Sequence, residues 1–391
     1  MAKQAADTLG LDGVYLDPLW RITTELTPLE HELLGCWWVR RLGFVAHAGA
    51  AAITTTQTYS RLEHSLGVLA LTARFAPDDA VARASALLHD IGHLPFSHTF
   101  ESIAGADHHR LDHHRLGRDR LAELDPVLRR HGLSADAILA RETEDAARLR
   151  SRHQLGLDHL DSFLRSGQAH GRTTEPPAET LNRLRLVDGG IDTDGDTADF
   201  LAALIAAEAL AQCSPANVAP HAVLRDVAAT LLEGARENAG EDAREEVTRI
   251  ASMTDDQFWA LALSNPRTAA TTERLRRMPG SWAVHQLDPG DPDQRGGPGD
   301  PGSRAPWGLE YRIERLYVDL PTVDGQDAPP LQGLPTLPIR YRVSARLGFL
   351  DGQGRLPEDF DRMDQPTIAA LVDGDPPRTD HPTAFRSAPL G

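Results

Sequence analysis

The chain has 391 residues, a hydrophobic content of 41% that is ample for a large core, and a formal net charge of −17. This charge argues against an extended nucleic-acid surface, which needs a basic stripe to release counterions from phosphates. No apolar stretch approaches the roughly 20 residues of a membrane span and no signal-peptide core is present, so we expect a cytoplasmic protein without a membrane partner. The two cysteines, Cys36 and Cys213, are far apart in the sequence, so we expect no disulfides.

In chain order, residues 1–24 read as an extended N-terminal segment, and the first predicted helix follows Thr27. Thr27 is a favourable N-cap, Pro28 suits the first helical position, and Glu30 places a carboxylate in the first turn. We expect this helix to run to about Leu42.

Residues 59–98 combine apolar runs with histidine and aspartate. His64 stands at the head of a leucine-rich run typical of a buried helix, and His89 and Asp90 close a second apolar run at 84–88. Unpaired charges in an apolar site cost several kcal/mol or more, so these side chains need partners. One divalent cation would serve all three, and imidazole with carboxylate ligands suits Mn, Fe, Co, Ni, Zn or Mg.

The segment 78–100 is predicted to be helical again. On such a helix His89 and His93, four positions apart, would share one face. Pro95 would end or kink the helix and redirect the chain before His98. Taken alone, His93 and His98 would read as hydrogen-bonded core or surface residues.

The order His64, His89-Asp90 and a distant aspartate resembles the H…HD…D signature of the HD-domain metal-dependent phosphohydrolases. The stretches SRLEHSLGV and LLHDIGHLPFSHTFE resemble the deoxynucleoside triphosphate triphosphohydrolase branch, which includes the dGTPases. Two long motifs in this order and spacing are improbable by chance. The resemblance implies a mainly α-helical HD-domain fold, one divalent metal ion and a nucleotide or other phosphate-ester substrate.

The resemblance also assigns roles to individual residues. The implied metal ligands are His64, His89, Asp90 and Asp158. The implied catalytic group contains His93, His98 and His113 around the phosphate chain and Asp161, a carboxylate able to orient a ligand histidine. The implied substrate contacts are Arg61, His114, His159, Ser162 and Arg165. Without the upstream motif, the two aspartates would read as an exposed acidic helix face, and the pair at 108 and 109 reads as solvent-facing.

The sequence departs from the triphosphohydrolase pattern on the helix of Asp158. Relatives there use a basic residue, a tyrosine and an aspartate to contact phosphate and sugar, and this chain has His159, Ser162 and Ser166. Arg41 likewise replaces a glutamine before Leu-Gly. The expected function is (deoxy)nucleoside triphosphate hydrolysis. The alternatives are a nucleotidase or phosphomonoesterase acting on a monophosphate or modified nucleotide, and a catalytically weak regulatory nucleotide-binding protein.

Residues 25–172 are expected to form the metal-binding core, and 173–287 a helical extension packed on it, with helices to about residue 278. The sequence DGGIDTDGDTADF predicts a hairpin leading into a helix capped by Asp196 or Thr197. The following stretch, ADFLAALIAAEALAQC, is the most apolar helix of the chain and is expected to be buried.

Residues 288–306 form a Pro/Gly/Asp-rich linker or mobile loop by composition. Within 307–374, GLEYRIERLYVDL and LPIRYRVSARLGFL alternate apolar with polar residues, which predicts a small C-terminal antiparallel β element. The tail, 375–391, is expected to be poorly ordered. Arginines 312, 315, 340, 342 and 346 would line the outer face of this element. They indicate a solvated face or, second, a surface for phosphate or for another subunit in a homo-oligomer.

Overall fold

The computed structural model describes residues 13–101, 103, 111–239, 243–287 and 308–345. Its α-helices are α1 Pro28–Gly35, α2 Trp37–Arg41, α3 Arg61–Phe75, α4 Ala80–Leu88, α5 His113–Arg130, α6 Ala135–Arg152, α7 Leu157–Ala169, α8 Pro177–Leu181, α9 Gly195–Gln212, α10 Pro215–Ala239, α11 Ala243–Ala251, α12 Asp255–Ser264 and α13 Ala269–Arg277. Its strands are β1 Val14–Leu16, β2 Thr23–Glu25, β3 Arg185–Val187, β4 Gly190–Thr193, β5 Trp282–Leu287, β6 Gly308–Ile313, β7 Thr322–Val323, β8 Gln326–Asp327 and β9 Ile339–Ala345. The predicted fold class, mainly α with a small C-terminal antiparallel element, is confirmed.

Helices α3, α4, α6 and α7 pack together and form the part of the molecule that matters most for the site. Helix α3 starts with a capping box in which Ser60 accepts from the Glu63 N–H and the Glu63 carboxylate accepts from the Ser60 N–H, so two otherwise unpaired donors are satisfied. Leu66 and Leu69 of α3 join Leu87 in one buried cluster. This packing fixes the ends of α3 and α4, where the site residues begin.

The first helix is shorter than predicted. Thr27 does form a capping box with Glu30, as the sequence indicates, but the helix ends at Gly35 instead of running to Leu42. Cys36 has extended backbone angles and separates α1 from α2. The new direction of α2 lets the fully buried Arg41 donate to the carbonyl oxygens of His93 (2.8 Å) and Ser252 (2.7 Å).

The helical prediction for 78–100 was wrong beyond Leu88. His89 is the C-cap of α4, and the chain then turns, with left-handed φ angles of 53° at Phe96 and 54° at Ser97. One cause is Gly92, where a Cβ would overlap the backbone of His113 and Gly117. The missing side chain at Gly92 therefore lets α5 approach closely, and His93 is placed by this turn and not by a shared helix face with His89.

Three further predictions concern the helical extension. The hairpin predicted at DGGIDTDG is present as β3 and β4, and the N-cap of α9 is Asp194, not Asp196 or Thr197. Its carboxylate accepts from the Thr197 N–H at 2.9 Å. The last helix, α13, ends at Arg277, in agreement with the predicted limit of helices near 278.

The C-terminal sheet has the order β5-β9-β6 and is antiparallel throughout. The predicted pairing of β6 with β9 is present, whereas β5 was not predicted because WAVHQL does not alternate apolar and polar residues. Arg312 stands opposite Arg340 in the register. Position 346, the linker at 288–306 and the tail lie outside the described residues.

A second sheet, β3-β4-β7-β8, joins the C-terminal part of the chain to the core. Strands β4 and β7 pair in parallel, with Asp192 opposite Thr322. The Asp192 carboxylate accepts from the Thr322 hydroxyl at 2.7 Å and from the Gly325 N–H at 2.8 Å.

Among the described helices none is long and apolar enough to span a membrane alone, while α9 and most of α10, bent by 48°, pass that test as a pair.

Candidate metal centre

The structure brings the four proposed ligands together at the ends of three helices. His64 lies in the first turns of α3 and is fully buried. Its Nδ1 donates to Asp161 Oδ2 at 2.8 Å, which leaves Nε2 facing the other proposed ligands. A carboxylate that fixes the tautomer and orientation of a histidine in this way is the usual support of a metal ligand.

His89 and Asp90 follow directly after α4. The Nδ1 of His89 donates to the Ala86 carbonyl oxygen at 2.9 Å, so its Nε2 also keeps a lone pair. The Nε2 atoms of His89 and His64 lie 3.3 Å apart. The Asp90 carboxylate lies beside both, 3.5 Å from His89 Nε2 and 4.0 Å from His64 Nε2.

Asp158 approaches from the first turn of α7. Its Oδ1 lies 3.0 Å from His64 Nε2 and 3.8 Å from His89 Nε2, and its side chain is 53% exposed. Asp161, three residues later, is fully buried behind His64 instead. Asp158 therefore lies on the solvent-exposed side of the His64 and His89 rings, and Asp161 lies on the buried side of His64.

These residues fit a divalent cation. His64, His89 and Asp90 each offer an atom within one ligand-sized space, and two imidazole lone pairs facing each other beside two carboxylates require a positive charge between them. Burial alone would lower the pKa of His64, but its bonds with Asp158 and Asp161 raise it to about 9. His64 therefore takes up a proton unless another cation occupies the centre. The mixed nitrogen and oxygen donor set suits Mn, Fe, Co, Ni, Zn or Mg.

Arg61 is tied to this centre through Asp90. Its Nη1 donates to Asp90 Oδ2 at 3.0 Å, its Nε to the Ser97 hydroxyl at 2.8 Å, and its Nη2 to the His47 carbonyl oxygen at 3.2 Å. Burial would raise the pKa of Asp90, but Arg61, His89 and His93 together hold it well below its usual range. Arg61 is thus in place behind the HD pair, with its guanidinium buried.

A cluster of histidines adjoins the metal centre. His93 Nε2 donates to Asp90 Oδ1 at 3.1 Å. The His93 ring stacks on His113 at 4.4 Å and meets the edge of His98 at 4.6 Å. His114, whose ring centroid is 3.9 Å from that of His113, is exposed.

Glu101 holds the outer two histidines of this cluster. One oxygen accepts from His98 Nδ1 at 3.0 Å, and the other pairs with His113 Nδ1. Burial would raise the pKa of Glu101, and the two imidazoles instead lower it. Sequence reasoning did not assign Glu101 a role, although its spacing of three residues from His98 in HTFE was visible.

His93 lies where the metal centre meets the histidine cluster, and one of its ring nitrogens, Nδ1, binds none of the described residues. The ring is 2% exposed. Burial, reinforced by Arg61, holds the pKa of His93 well below its usual range. This neutral imidazole therefore offers a buried acceptor next to the metal centre.

The remaining predicted contacts lie on α7. His159 is half-buried and its Nδ1 bonds to Asp319 Oδ2 at 2.9 Å, while Ser162 is half-buried. Arg165 turns inward and donates to Asp161 Oδ1 at 2.8 Å and Oδ2 at 3.0 Å. Ser166 bonds to the Tyr59 hydroxyl at 2.8 Å.

The support behind His64 includes residues that the sequence did not indicate. Asp17, on the turn after β1, accepts from Arg165 Nη2 at 3.3 Å and from the Trp20 N–H at 2.8 Å. The indole N–H of Trp20 donates to Asp161 Oδ1 at 2.7 Å. Both residues are almost completely buried, and the DPLW sequence carries no pattern that would reveal this long-range role.

Parts of the chain are similar to known proteins. The HD domain family model matches residues 61–188. The chain is 32% identical over 135 residues to the uncharacterized protein YwfO of Bacillus subtilis (strain 168), covering 31% of each chain. It is 38% identical over 84 residues to the uncharacterized protein MJ1154 of Methanocaldococcus jannaschii, covering 20% of this chain and 18% of that protein. The matches thus span less than one third of these relatives.

A solved structure of a phosphohydrolase from Bacteroides thetaiotaomicron VPI-5482 is similar to this one, with a TM-score of 0.57 and 17% sequence identity. The similarity covers 72% of this chain and 81% of that chain. At this identity the likeness concerns the fold. The protein thus has a mainly helical fold in which residues 61–188 match the HD domain.

Proposed function

We propose that the protein is a metal-dependent phosphohydrolase that acts on a nucleotide, with (deoxy)nucleoside triphosphate hydrolysis as its reaction. The observation that supports this most is the position of Asp90. One of its oxygens lies 3.5 Å from His89 in the candidate metal centre and 3.1 Å from His93 in the histidine cluster. A candidate cation site and a set of imidazole side chains are thus adjacent, an arrangement that can position a phosphate ester and stabilise its charge.

Each group has a part in this proposal. A bound divalent ion lowers the pKa of water and withdraws charge from a phosphoryl oxygen. His98 and His113 are oriented by Glu101 through their Nδ1 atoms, and their Nε2 atoms accept hydrogen bonds from water or from a phosphate hydroxyl. His93 donates from Nε2 to Asp90 Oδ1 at 3.1 Å and so holds this carboxylate in position as a ligand. Arg61 holds Asp90 ionised, so that the carboxylate remains a ligand.

A second candidate is a nucleotidase or phosphomonoesterase acting on a monophosphate or a modified nucleotide. Ser162 and Ser166 stand where the triphosphohydrolases carry side chains that grip phosphate and sugar, and Ser166 is already bonded to Tyr59. A hydrogen bond to a charged group contributes about 1.5–3 kcal/mol, so two losses would weaken dNTP binding by about two orders of magnitude or more.

Product analysis separates these candidates. The purified chain is analysed for bound metal and then incubated with the four dNTPs and with nucleoside monophosphates. Release of intact triphosphate with low-micromolar KM supports triphosphate hydrolysis and means that other residues supply the missing contacts. Orthophosphate from monophosphates supports the second candidate. No turnover with any of these compounds in a metal-loaded protein contradicts both.

The same assay tests the ligand set through His89. His89 is 18% exposed and its Nδ1 bonds only to its own helix, so His89→Ala is expected to fold while losing bound metal and activity. His285→Ala is the matched control, because His285 is exposed on β5. Full metal occupancy in a folded His89→Ala protein would contradict the proposed centre.

A further inference from the structure

A segment from the C-terminal part of the chain lies against the metal-binding helix. We name residues 314–320, between β6 and β7, the covering segment. Its end is fixed by two backbone bonds, from the Leu155 N–H to the Leu320 carbonyl oxygen at 2.8 Å and from the Leu320 N–H to the His153 carbonyl oxygen at 3.2 Å. Because α7 begins at Leu157, these bonds hold the covering segment at the end of α7 that carries Asp158.

Side chains of the covering segment also contact α7 next to the metal centre. Asp319 Oδ2 bonds to His159 Nδ1 at 2.9 Å, and the Tyr317 ring meets His159 edge-on at 5.2 Å. His159 directly follows the proposed ligand Asp158. Contacts to the backbone, to one carboxylate and to one ring therefore place this segment beside the open side of the centre.

Tyr317 lies beside the helix that carries Asp158, with its ring edge-on to His159. Its ring is half-buried, and its hydroxyl makes no hydrogen bond within the part of the chain that the structure describes. Burial raises the pKa of Tyr317, Arg315 lowers it, and the carboxylates of Glu101 and Asp158 both raise it further. No described residue binds the hydroxyl, so it is available to a ligand beside Asp158.

Arg315 extends this surface with a positive charge. Its guanidinium carbon lies 4.6 Å from the centre of the Tyr317 ring. It forms no salt bridge within the described ranges, whereas Arg312 pairs with Glu314 at 3.4 Å and Arg340 with Glu310 at 3.3 Å. Stacking on an aromatic ring holds a guanidinium in place while its donors remain free for phosphate oxygens.

We infer that Arg315 and Tyr317 are substrate-binding residues that hold the phosphate chain beyond the scissile phosphate. This inference rests on the proposed nucleotide hydrolysis and names residues that supply contacts missing from α7. The basic residue, tyrosine and aspartate of the triphosphohydrolases are His159, Ser162 and Ser166 here. A free guanidinium and a free phenol on a neighbouring segment replace the lost chemistry, one as a bidentate donor and the other as a single donor.

The test uses the full-length, metal-loaded protein with two inorganic probes. Binding of tripolyphosphate and of orthophosphate is measured by calorimetry for the wild type, Arg315→Gln and Tyr317→Phe. Arg312→Gln is the matched control, since Arg312 is exposed and lies three positions before Arg315. We expect Arg315→Gln to weaken tripolyphosphate binding about tenfold or more and Tyr317→Phe several-fold, with orthophosphate binding and metal content unchanged.

Several outcomes would overturn the inference. Tripolyphosphate binding at the wild-type level in both variants would do so, as would an equal loss in Arg312→Gln, which would indicate a general charge effect. If either result is found while the wild type still hydrolyses a nucleotide, the proposed function stands, but Arg315 and Tyr317 do not hold the phosphate chain. A wild-type protein that binds neither probe and hydrolyses no nucleotide contradicts both together.

Discussion

Trp20 and Asp161 are joined by a hydrogen bond of 2.7 Å although 141 positions separate them in the chain. The Asp161 carboxylate also accepts hydrogen bonds from His64 Nδ1 and from Nε and Nη2 of Arg165. These four hydrogen bonds prevent the Asp161 carboxylate from rotating. The fixed carboxylate in turn orients the His64 ring. The turn after β1 is thus part of the support of the metal centre, far from any sequence motif.

The first prediction concerns Asp161→Asn. An amide cannot accept from all four donors, so His64 loses its fixed orientation and part of its basicity. We expect metal affinity to fall by about 10–100-fold, measured by competition with a chelator on protein whose helical circular dichroism is unchanged. Trp20→Phe, which removes only one of the four donors, is expected to have a smaller effect. Wild-type metal affinity in folded Asp161→Asn would contradict the positioning role.

Gly67→Ala tests the same support from the side of α3. A Cβ at Gly67 would overlap Asp161 Oδ1 and Arg165 Nη2, and this buried ion pair has no room to retreat. Separating such a pair costs about 3–5 kcal/mol when one partner stays buried and unpaired. We expect a clear loss in the free energy of unfolding and in metal affinity.

Gly234→Ala is the control for that experiment. Gly234 lies inside α10, and a Cβ there would meet only Arg267 Nη1 at an ordinary 3.7 Å. Replacing a helix-interior glycine by alanine stabilises by about 0.5–1 kcal/mol. If urea titrations gave Gly67→Ala and Gly234→Ala the same stability, close packing at Gly67 would not be the reason for glycine.

His221 predicts a pH dependence of stability. Burial lowers its pKa from 6.5 to about 4, against the opposing bond from Nδ1 to the Asn217 carbonyl oxygen. A depressed histidine pKa means that the unfolded chain binds the proton more readily, so stability is lost as the pH falls from about 6.5 through 4. We expect this group to remove about 3 kcal/mol over that interval.

The measurement compares urea unfolding of the wild type and His221→Leu at pH 7, 5.5 and 4. The wild type should lose more stability than the variant by the amount given, because other titrating groups are common to both proteins. Parallel pH profiles would indicate that His221 is protonated in the folded protein or exposed to solvent.

Arg61→Lys separates the charge of Arg61 from its shape. The guanidinium contacts Asp90, Ser97 and the His47 carbonyl oxygen at once, which an ammonium group cannot reproduce. We expect turnover to fall about tenfold or more while metal content changes little. Arg141→Lys, at a partly exposed pair with Asp79 and Asp145, should leave turnover unaltered. An unchanged rate in Arg61→Lys would make Arg61 structural only.

The sequence was informative where chemistry is local. The N-cap at Thr27 and the end of the helical region near residue 278 were predicted from neighbouring residues, and the alternation in β6 and β9 predicts their pairing. The proposed ligands His64, His89, Asp90 and Asp158 could be named because the motif that carries them is contiguous in three short stretches. Their actual proximity in space required the packing of α3 against α4 and α7.

Other features depend on distant partners and could not be predicted. The break at Cys36 reflects the need of Arg41 to reach carbonyl oxygens near residue 252, and the turn after Leu88 reflects the close approach of α5 at Gly92. Glu101 acquires its place only when α5 brings His113 beside His98. Strand β5 lacks alternation because both of its ends are buried while its middle is exposed.

The contact between His159 and Asp319 spans 160 positions, and this separation has a consequence for synthesis in the cell. A ribosome adds about 5–20 residues per second, so about 10–30 s pass between the appearance of α7 and that of Asp319. During this interval the nascent chain already contains all four proposed ligands, while the covering segment beside them does not yet exist. The proposed ligands of α3, α4 and α7 can therefore come together before the covering segment and its contact with His159 are made.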